Sequence, residues 1–182
     1  MSWVTARRHI PNALTIARFA AIPVFVVLLL EAGDGPAWAA GIFFAGAAAT
    51  DQVDGYLARR WEVESRFGKL ADPFADRLMI TTAVVLLWAT GRIPLAAALI
   101  ILARDLVLVA GYKLVAPHGY DFEVTFLGKV ATWVLYASVC FVIVTPEGTR
   151  WALILLWIGV VLALAAGAQY LFRARRHIAT PR

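Results

Sequence analysis

Charged residues are scarce in this chain of 182 residues, where Asp, Glu, Lys and Arg together make up 16%, against about 25% in soluble domains. Hydrophobic residues make up 62%, whereas a soluble domain has about 45–50%. This composition excludes an ordinary soluble globular protein. It also excludes a disordered chain, because disordered segments are poor in hydrophobic residues. We therefore predict an integral membrane protein.

Cysteine and histidine are nearly absent as well. The single cysteine, Cys140, excludes a disulfide framework and a zinc site built from thiolates. The three histidines, at positions 9, 118 and 177, are too scattered for a histidine metal cluster. The formal net charge of +5 would suggest nucleic acid as a partner of a soluble protein. In a membrane protein, basic loops that face anionic lipid account for it.

Six stretches have the length and composition of membrane-spanning helices, which need about 20 mostly apolar residues. The predicted spans are Ala13–Leu30, Trp38–Leu57, Pro73–Thr90, Ile93–Val115, Phe126–Val144 and Trp151–Phe172. The segment Trp3–Asn12 is too short and too basic to span, and we expect a short amphipathic helix on the membrane surface there. No internal repeat or low-complexity linker divides the chain. The prediction is one all-α integral membrane domain over residues 1–182.

Turn-forming residues and tryptophans fall between the predicted spans. The turn signals are Gly33–Pro36, Gly91, Pro117–Gly119 and Pro146–Gly148. Tryptophans near span ends, typical of membrane interfaces, are Trp38, Trp61, Trp88 and Trp151. Both patterns favour six separate helices.

The distribution of basic residues predicts the orientation. The loops after the first, third and fifth spans carry only Arg92 and Arg150 of the 17 basic residues. The positive-inside rule then places both termini in the cytoplasm, in the cytoplasmic membrane if the source is bacterial. A signal peptide within Arg7–Leu30 is the alternative, and Arg18 inside the apolar run argues against it.

Four aspartates are conspicuous because an ionisable residue at the centre of a membrane helix costs about 2.5–3.5 kcal/mol on insertion scales. Asp51 and Asp54 lie three residues apart in the second span, and Asp72 and Asp76 lie four apart at the start of the third. Each pair shares a helix face, and antiparallel helices would bring both pairs to one depth. Four such carboxylates require cations, and oxygen ligands favour Mg²⁺, Mn²⁺ or Ca²⁺. Two divalent ions would balance the charges.

Small residues and a proline accompany the aspartates. Gly55 and Ala58 leave their helix face nearly bare, so that a substrate or a neighbouring helix can approach. Gly68 is expected to supply an unusual backbone angle where the chain enters the third helix. Asp72 precedes Pro73, which is typical of an N-cap whose helix end faces phosphate. The alternative places Asp72 inside the first turn.

This pattern resembles the signature of the CDP-alcohol phosphatidyltransferases. The run Asp51-x-x-Asp54-Gly55-x-x-Ala58-Arg59, followed by Gly68-x-x-x-Asp72-x-x-x-Asp76, matches the family at every fixed position. The segment Ile10–Arg18 resembles the start of the glycerol-type branch of the family. The likeness therefore covers nearly the whole chain.

The resemblance implies a six-helix membrane enzyme, usually a homodimer, that transfers a phosphatidyl group from CDP-diacylglycerol to an alcohol and releases CMP. It implies that two ions, Mg²⁺ or Mn²⁺, are held by the four aspartates, and that Asp76 also serves as the general base. The implied CDP-binding residues are Gly55, Ala58, Arg59 and Gly68, and Asn12 and Thr15 are further candidates. The candidates for acceptor binding are Arg18, Arg77, Arg104 and Lys129.

The signature gives no direct information about which alcohol accepts the phosphatidyl group. Phosphatidylglycerol would yield cardiolipin, and glycerol 3-phosphate would yield phosphatidylglycerol phosphate. The Arg104-Asp105 pair resembles the form found in the cardiolipin-forming members, so we favour phosphatidylglycerol. Because these two residues are adjacent, they are not expected to face one side of their helix.

Two hypotheses outside this family are alternatives to the enzyme. A cation- or proton-coupled transporter would have similar acids, but near the bilayer midplane between repeats. Buried ion pairs of the aspartates with Arg59 and Arg77 would leave the neighbouring glycines unexplained.

Overall fold

The computed structural model describes the backbone of residues 19–61, 66–115 and 125–179, and the side chains of residues 19–50, 77–107, 125–170 and 172. Within these ranges all regular secondary structure is helical, which confirms the all-α prediction. The helices are α1, described over Phe19–Glu31, α2 (Trp38–Trp61), α3 (Arg66–Ala89), α4 (Leu95–Val115), α5 (Phe126–Val144) and α6 (Arg150–Ala179). The predicted surface helix Trp3–Asn12 lies outside the described residues.

Several helices are longer than the apolar stretches that predicted them. The bounds of α5 agree with the prediction, but α2 continues four residues past Leu57 and α6 seven residues past Phe172. α3 begins seven residues before Pro73. The added segments contain Ala, Arg, Leu and Lys, which favour helix without being apolar throughout. Hydropathy therefore located the helices, but only some of their ends.

Glycines make the tight turns at three connections. Gly33, Gly91 and Gly148 have φ angles of 55°, 76° and 76°, which confirms the turn signals predicted there. After α3, the Gly91 N–H donates to the Trp88 carbonyl at 3.0 Å. An L side chain is strained at such an angle, so this short reversal requires glycine. The fourth predicted turn, Pro117–Gly119, lies outside the described residues.

The described residues fall into two compact units, and the first lies within Met1–Leu86 and Ile143–Glu147. In it α1 packs on α2 through Phe25 and Phe44, whose ring centroids are 5.7 Å apart and whose side chains are buried. The end of α5 and the turn after it belong to this unit, and the Ala37 N–H donates to the Ile143 carbonyl at 3.0 Å. Aromatic packing and backbone hydrogen bonds thus hold this unit together.

The second unit lies within Leu87–Val142 and Gly148–Arg182. In it α6 contacts α4, and α5 packs closely on α6. The α5–α6 contact is made by small residues: Ala131, Ala163 and Ala166 form a buried cluster. Small side chains allow two helix backbones to approach closely.

Much of the apolar side-chain surface faces outward. Phe126, Leu106 and Ile42 are 82%, 70% and 69% exposed. Among the described residues, α5 and the α6 stretch Arg150–Tyr170 are long and apolar enough to cross a membrane by length and composition. Only 39% and 33% of these stretches is buried, whereas the core helix of a soluble protein is mostly buried. The count of six spans stays a prediction.

Candidate active site

The backbone places the four aspartates in two consecutive helices. Asp51 and Asp54 precede the last residue of α2, residue 61, by ten and seven positions. Asp72 and Asp76 follow the first residue of α3, residue 66, by six and ten positions. At about 1.5 Å per residue, one aspartate of each pair lies about 15 Å and the other about 9–11 Å from its helix end. Helical spacing puts the two members of each pair on one face.

The position of Asp72 agrees with neither alternative in full, because the residue lies inside α3 but beyond its first turn. Because the helix begins at Arg66, Asp72 is not an N-cap, and the helix start does not lie beside it. Pro73 is also inside the helix, and its missing N–H leaves the Lys69 carbonyl without the usual helical donor. Gly68 lies within the same helix, so the expectation that it turns the chain into α3 is wrong. The prediction placed the helix start here because proline and glycine are both common at helix ends.

Other predicted site residues are placed only in part. Gly55, Ala58 and Arg59 belong to the last turns of α2, and their surroundings lie outside the described side chains. Asn12, Thr15 and Arg18 lie outside the described backbone. Among the described side chains, no three His, Cys, Asp or Glu residues come together as metal ligands. The four aspartates are not in that set, so their role as ligands stays a prediction.

Arg104 and Asp105 form an ion pair within α4. Arg104 Nη1 donates to Asp105 Oδ1 at 2.7 Å, and the two side chains are only 10% and 14% exposed. The expectation that these neighbours cannot pair on one side of the helix is therefore wrong, because the long arginine side chain reaches around the helix, although Asp105 also has a further partner, as expected. Arg104 Nε is buried and has no hydrogen-bond partner among the described residues. A buried donor of this kind is costly unless a further group accepts a hydrogen bond from it.

The start of α5 is capped by a side chain and tied to α6. Thr125 Oγ1 accepts from the Gly128 N–H at 3.1 Å, as a helix N-cap does. The Thr125 N–H donates to the Tyr170 hydroxyl oxygen at 3.0 Å, across 45 positions of the sequence. Lys129 is the residue after Gly128, and its side chain is exposed. Sequence analysis missed Tyr170, since only the contact with α5 distinguishes it from other interfacial tyrosines.

Arg77 is the remaining acceptor candidate with a described side chain. It follows Asp76 directly in α3, is half-buried and already has a partner within the chain. Arg77 and Arg104 belong to different compact units.

Comparison with known proteins agrees with the signature on α2 and α3. The family model for CDP-alcohol phosphatidyltransferase matches residues 8–165. The chain belongs to the CDP-alcohol phosphatidyltransferase family, as predicted.

Two kinds of relative are similar over nearly the whole chain. The chain is 36% identical over 180 residues to a cardiolipin synthase (CMP-forming) of Streptomyces coelicolor, covering 92% of this chain and 83% of that protein. It is 31% identical over 180 residues to the CDP-diacylglycerol–glycerol-3-phosphate 3-phosphatidyltransferase of Bacillus subtilis, covering 89% and 93%. With the Pseudomonas fluorescens protein of the same name it shares 35% over 189 residues, covering 94% and 93%. Identity alone does not separate the two kinds.

Proposed function

We propose that this phosphatidyltransferase transfers the phosphatidyl group of CDP-diacylglycerol to a glycerol-type alcohol and releases CMP. Family membership supports the reaction class. The names of both kinds of relative, cardiolipin synthase (CMP-forming) and glycerol-3-phosphate 3-phosphatidyltransferase, support a glycerol-type acceptor. A coupled transporter is not favoured, because these relatives are named as enzymes of lipid synthesis.

The acceptor we propose is phosphatidylglycerol, and the buried Arg104–Asp105 pair is the observation that carries this choice. Asp105 compensates the charge of the guanidinium and leaves Arg104 Nε as an open donor. A neutral pair with one donor suits the single negative charge of a phosphodiester. The dianionic head of glycerol 3-phosphate favours several uncompensated cations close together.

Glycerol 3-phosphate is the second candidate, and two observations favour it. Several relatives at 31–35% identity are named for this acceptor. Lys129 is exposed at the first turn of α5, where an ammonium group could meet a phosphate. The two acceptors differ in charge and in acyl chains, so one assay separates them.

The donor set fits a centre of divalent cations. α2 and α3 follow one another in the chain, and we propose that they are antiparallel neighbours. Asp51 would then lie level with Asp76, and Asp54 level with Asp72. Carboxylate oxygens are the ligands that Mg²⁺ and Mn²⁺ prefer, and two ions balance four carboxylates. When bound, such ions neutralise the pyrophosphate and the charge that develops on the departing CMP.

In the proposed step, Asp76 takes the proton of the acceptor hydroxyl. The acceptor oxygen forms a bond to the phosphorus that carries diacylglycerol, and the phosphoanhydride bond to CMP breaks in line with it. Gly55, Ala58, Arg59 and Gly68 are assigned to the CDP site, with Asn12 and Thr15 as further contacts. In phosphoryl transfer, positioning and charge stabilisation supply most of the acceleration.

The proposed setting is a membrane crossed by six helices, with both termini in the cytoplasm. Apolar side chains on the outward faces of the helices support it, as do Trp38, Trp88 and Trp151, which are exposed near helix ends. We further propose a single domain over residues 1–182, since the family match is continuous across both compact units. The homodimer that the family resemblance implies remains part of the proposal.

The experiment uses purified full-length protein in detergent with CDP-diacylglycerol and Mn²⁺. Phosphatidylglycerol and glycerol 3-phosphate are supplied in separate reactions, and CMP is measured. We expect CMP and cardiolipin with phosphatidylglycerol. Release of CMP with glycerol 3-phosphate but not with phosphatidylglycerol would overturn the proposed acceptor. No CMP with either acceptor would overturn the proposed reaction. Cation flux into liposomes that contain the protein would instead support the transporter.

A further inference from the structure

The contact between Tyr170 and the start of α5 is more specific than ordinary helix packing. Thr125 is 8% exposed, so its backbone N–H has little access to water. The Tyr170 hydroxyl oxygen accepts that N–H at 3.0 Å. The N–H groups before and within the first helical turn lack intrahelical acceptors, and leaving one buried and unpaired is costly. Tyr170 therefore satisfies a group that helix formation alone cannot satisfy.

Gly128 leaves the space that the hydroxyl occupies. A Cβ atom at Gly128 would lie 2.6 Å from the Tyr170 hydroxyl oxygen and 3.2 Å from Thr125 Oγ1. Real Cβ atoms do not approach an oxygen this closely, so any larger residue at 128 displaces the tyrosine or the helix turn. Thr125, Gly128 and Tyr170 thus form one interlocked group, which we call the α5 latch.

The latch fixes the turn that carries Lys129. The Lys129 N–H donates to the Thr125 carbonyl at 3.0 Å, and the Thr132 hydroxyl donates to the Gly128 carbonyl at 2.9 Å. The backbone from which Lys129 projects is therefore bonded on both sides to latch residues. Close packing of Ala131 against α6 extends the same attachment along α5.

We propose that Tyr170 is a positioning residue for the acceptor: its hydroxyl holds the first turn of α5 so that Lys129 meets the phosphate of the acceptor. This inference rests on the proposed function and takes Lys129, an acceptor-binding candidate from the sequence, to contact the phosphate of either glycerol-type acceptor. Tyr170 itself contacts no substrate in this scheme. Its loss therefore affects the use of the acceptor more than the use of CDP-diacylglycerol.

The test is Tyr170→Phe, which keeps the ring and removes the accepting oxygen. With the acceptor that supports turnover, the KM for the acceptor should rise about three- to tenfold, the effect of one hydrogen bond, while the KM for CDP-diacylglycerol stays unchanged. Tyr136→Phe, which removes a hydroxyl from the middle of α5, is the matched control. A lower maximal rate with both KM values unchanged, or an equal rise in both, would show a merely structural role and overturn the proposal.

A double-mutant cycle tests the contact without requiring activity. Gly128→Ala alone should lower the melting temperature in detergent, because the methyl group meets the hydroxyl oxygen. In the Tyr170→Phe background the same substitution should cost less, since the nearest atom is gone. Additive losses would overturn the latch even if the enzyme is active. Absence of CMP release by the unaltered protein would instead contradict the proposed function, and a coupled thermal cycle would then leave the latch intact.

Discussion

Arg104 donates from Nη1 to Oδ1 of its chain neighbour Asp105 at 2.7 Å, in a part of α4 where both side chains are nearly buried. Nε of the same guanidinium has no partner among the described residues. The arrangement combines a compensated charge with one unused donor. A phosphodiester that accepts from this donor adds one negative charge beside the compensated pair, whereas a dianionic phosphate adds two.

Asp105→Asn should shift acceptor preference toward glycerol 3-phosphate, because the guanidinium keeps its charge and loses the carboxylate. We expect the ratio of kcat/KM for glycerol 3-phosphate to that for phosphatidylglycerol to rise about 10- to 150-fold, since an interaction with a charged group contributes about 1.5–3 kcal/mol and about 1.4 kcal/mol is tenfold. CMP release with each acceptor measures it. Asp34→Asn, in an exposed turn, controls for loss of an acid. An unchanged ratio would remove Asp105 from acceptor selection.

Replacement of any one of the four motif aspartates by asparagine should abolish CMP formation, because the carboxylates act as one unit. Asp76→Asn should still bind CDP-diacylglycerol, since Asp51, Asp54 and Asp72 can still hold metal. Chelation should stop turnover of the unaltered protein, and Mg²⁺ or Mn²⁺ should restore it. Asp34→Asn again serves as the matched control. Full turnover in a chelated, dialysed sample is the result that this mechanism cannot accommodate.

Gly159 should be essential to the packing of α6 on α5. A Cβ atom there would lie 3.1 Å from Leu135 Cα and 3.3 Å from Leu135 N, which are backbone atoms that cannot rotate away. Gly159→Ala should destabilise the protein by about 1–3 kcal/mol. Gly167→Ala, on the same helix with no atom within 4 Å of the new Cβ, should be neutral or stabilising by up to about 1 kcal/mol. Equal melting temperatures for the two variants would contradict this packing.

The proposed topology places the turns after α1, α3 and α5 outside the cytoplasm. Reporter fusions after Asp34, Arg92 or Gly148 should report an external location, and a fusion after Arg182 a cytoplasmic one. The basis is the scarcity of Lys and Arg in these turns. An external location for the fusion after Arg182 would contradict an even number of spans.

Most of the helical fold follows from the sequence because hydropathy and glycine turns are local signals. α5 was predicted to the residue, since Thr125 and the Pro146 turn bound its apolar run. The start of α3 was missed by seven residues, because Asp72-Pro73 has the composition of a helix start but lies inside a helix. Local composition cannot distinguish these cases when the preceding residues are themselves helix formers.

The sequence also predicts only part of the candidate site. The aspartate motif can be recognised from the sequence because spacing within a helix fixes which residues share a face. The Thr125–Tyr170 hydrogen bond cannot be predicted in this way, because it joins positions 45 residues apart and depends on how two helices pack. The Arg104–Asp105 pair was misjudged because helix periodicity describes Cβ directions and ignores the reach of a long side chain.

The central claim is that the aspartate motif of this chain catalyses phosphatidyl transfer to phosphatidylglycerol. The most direct measurement follows CMP and cardiolipin together, with purified protein, CDP-diacylglycerol, phosphatidylglycerol and Mn²⁺, beside the Asp51→Asn variant. The account predicts equal amounts of CMP and cardiolipin from the unaltered protein and neither product from the variant. No CMP from the unaltered protein, or the same rate from Asp51→Asn, would contradict it.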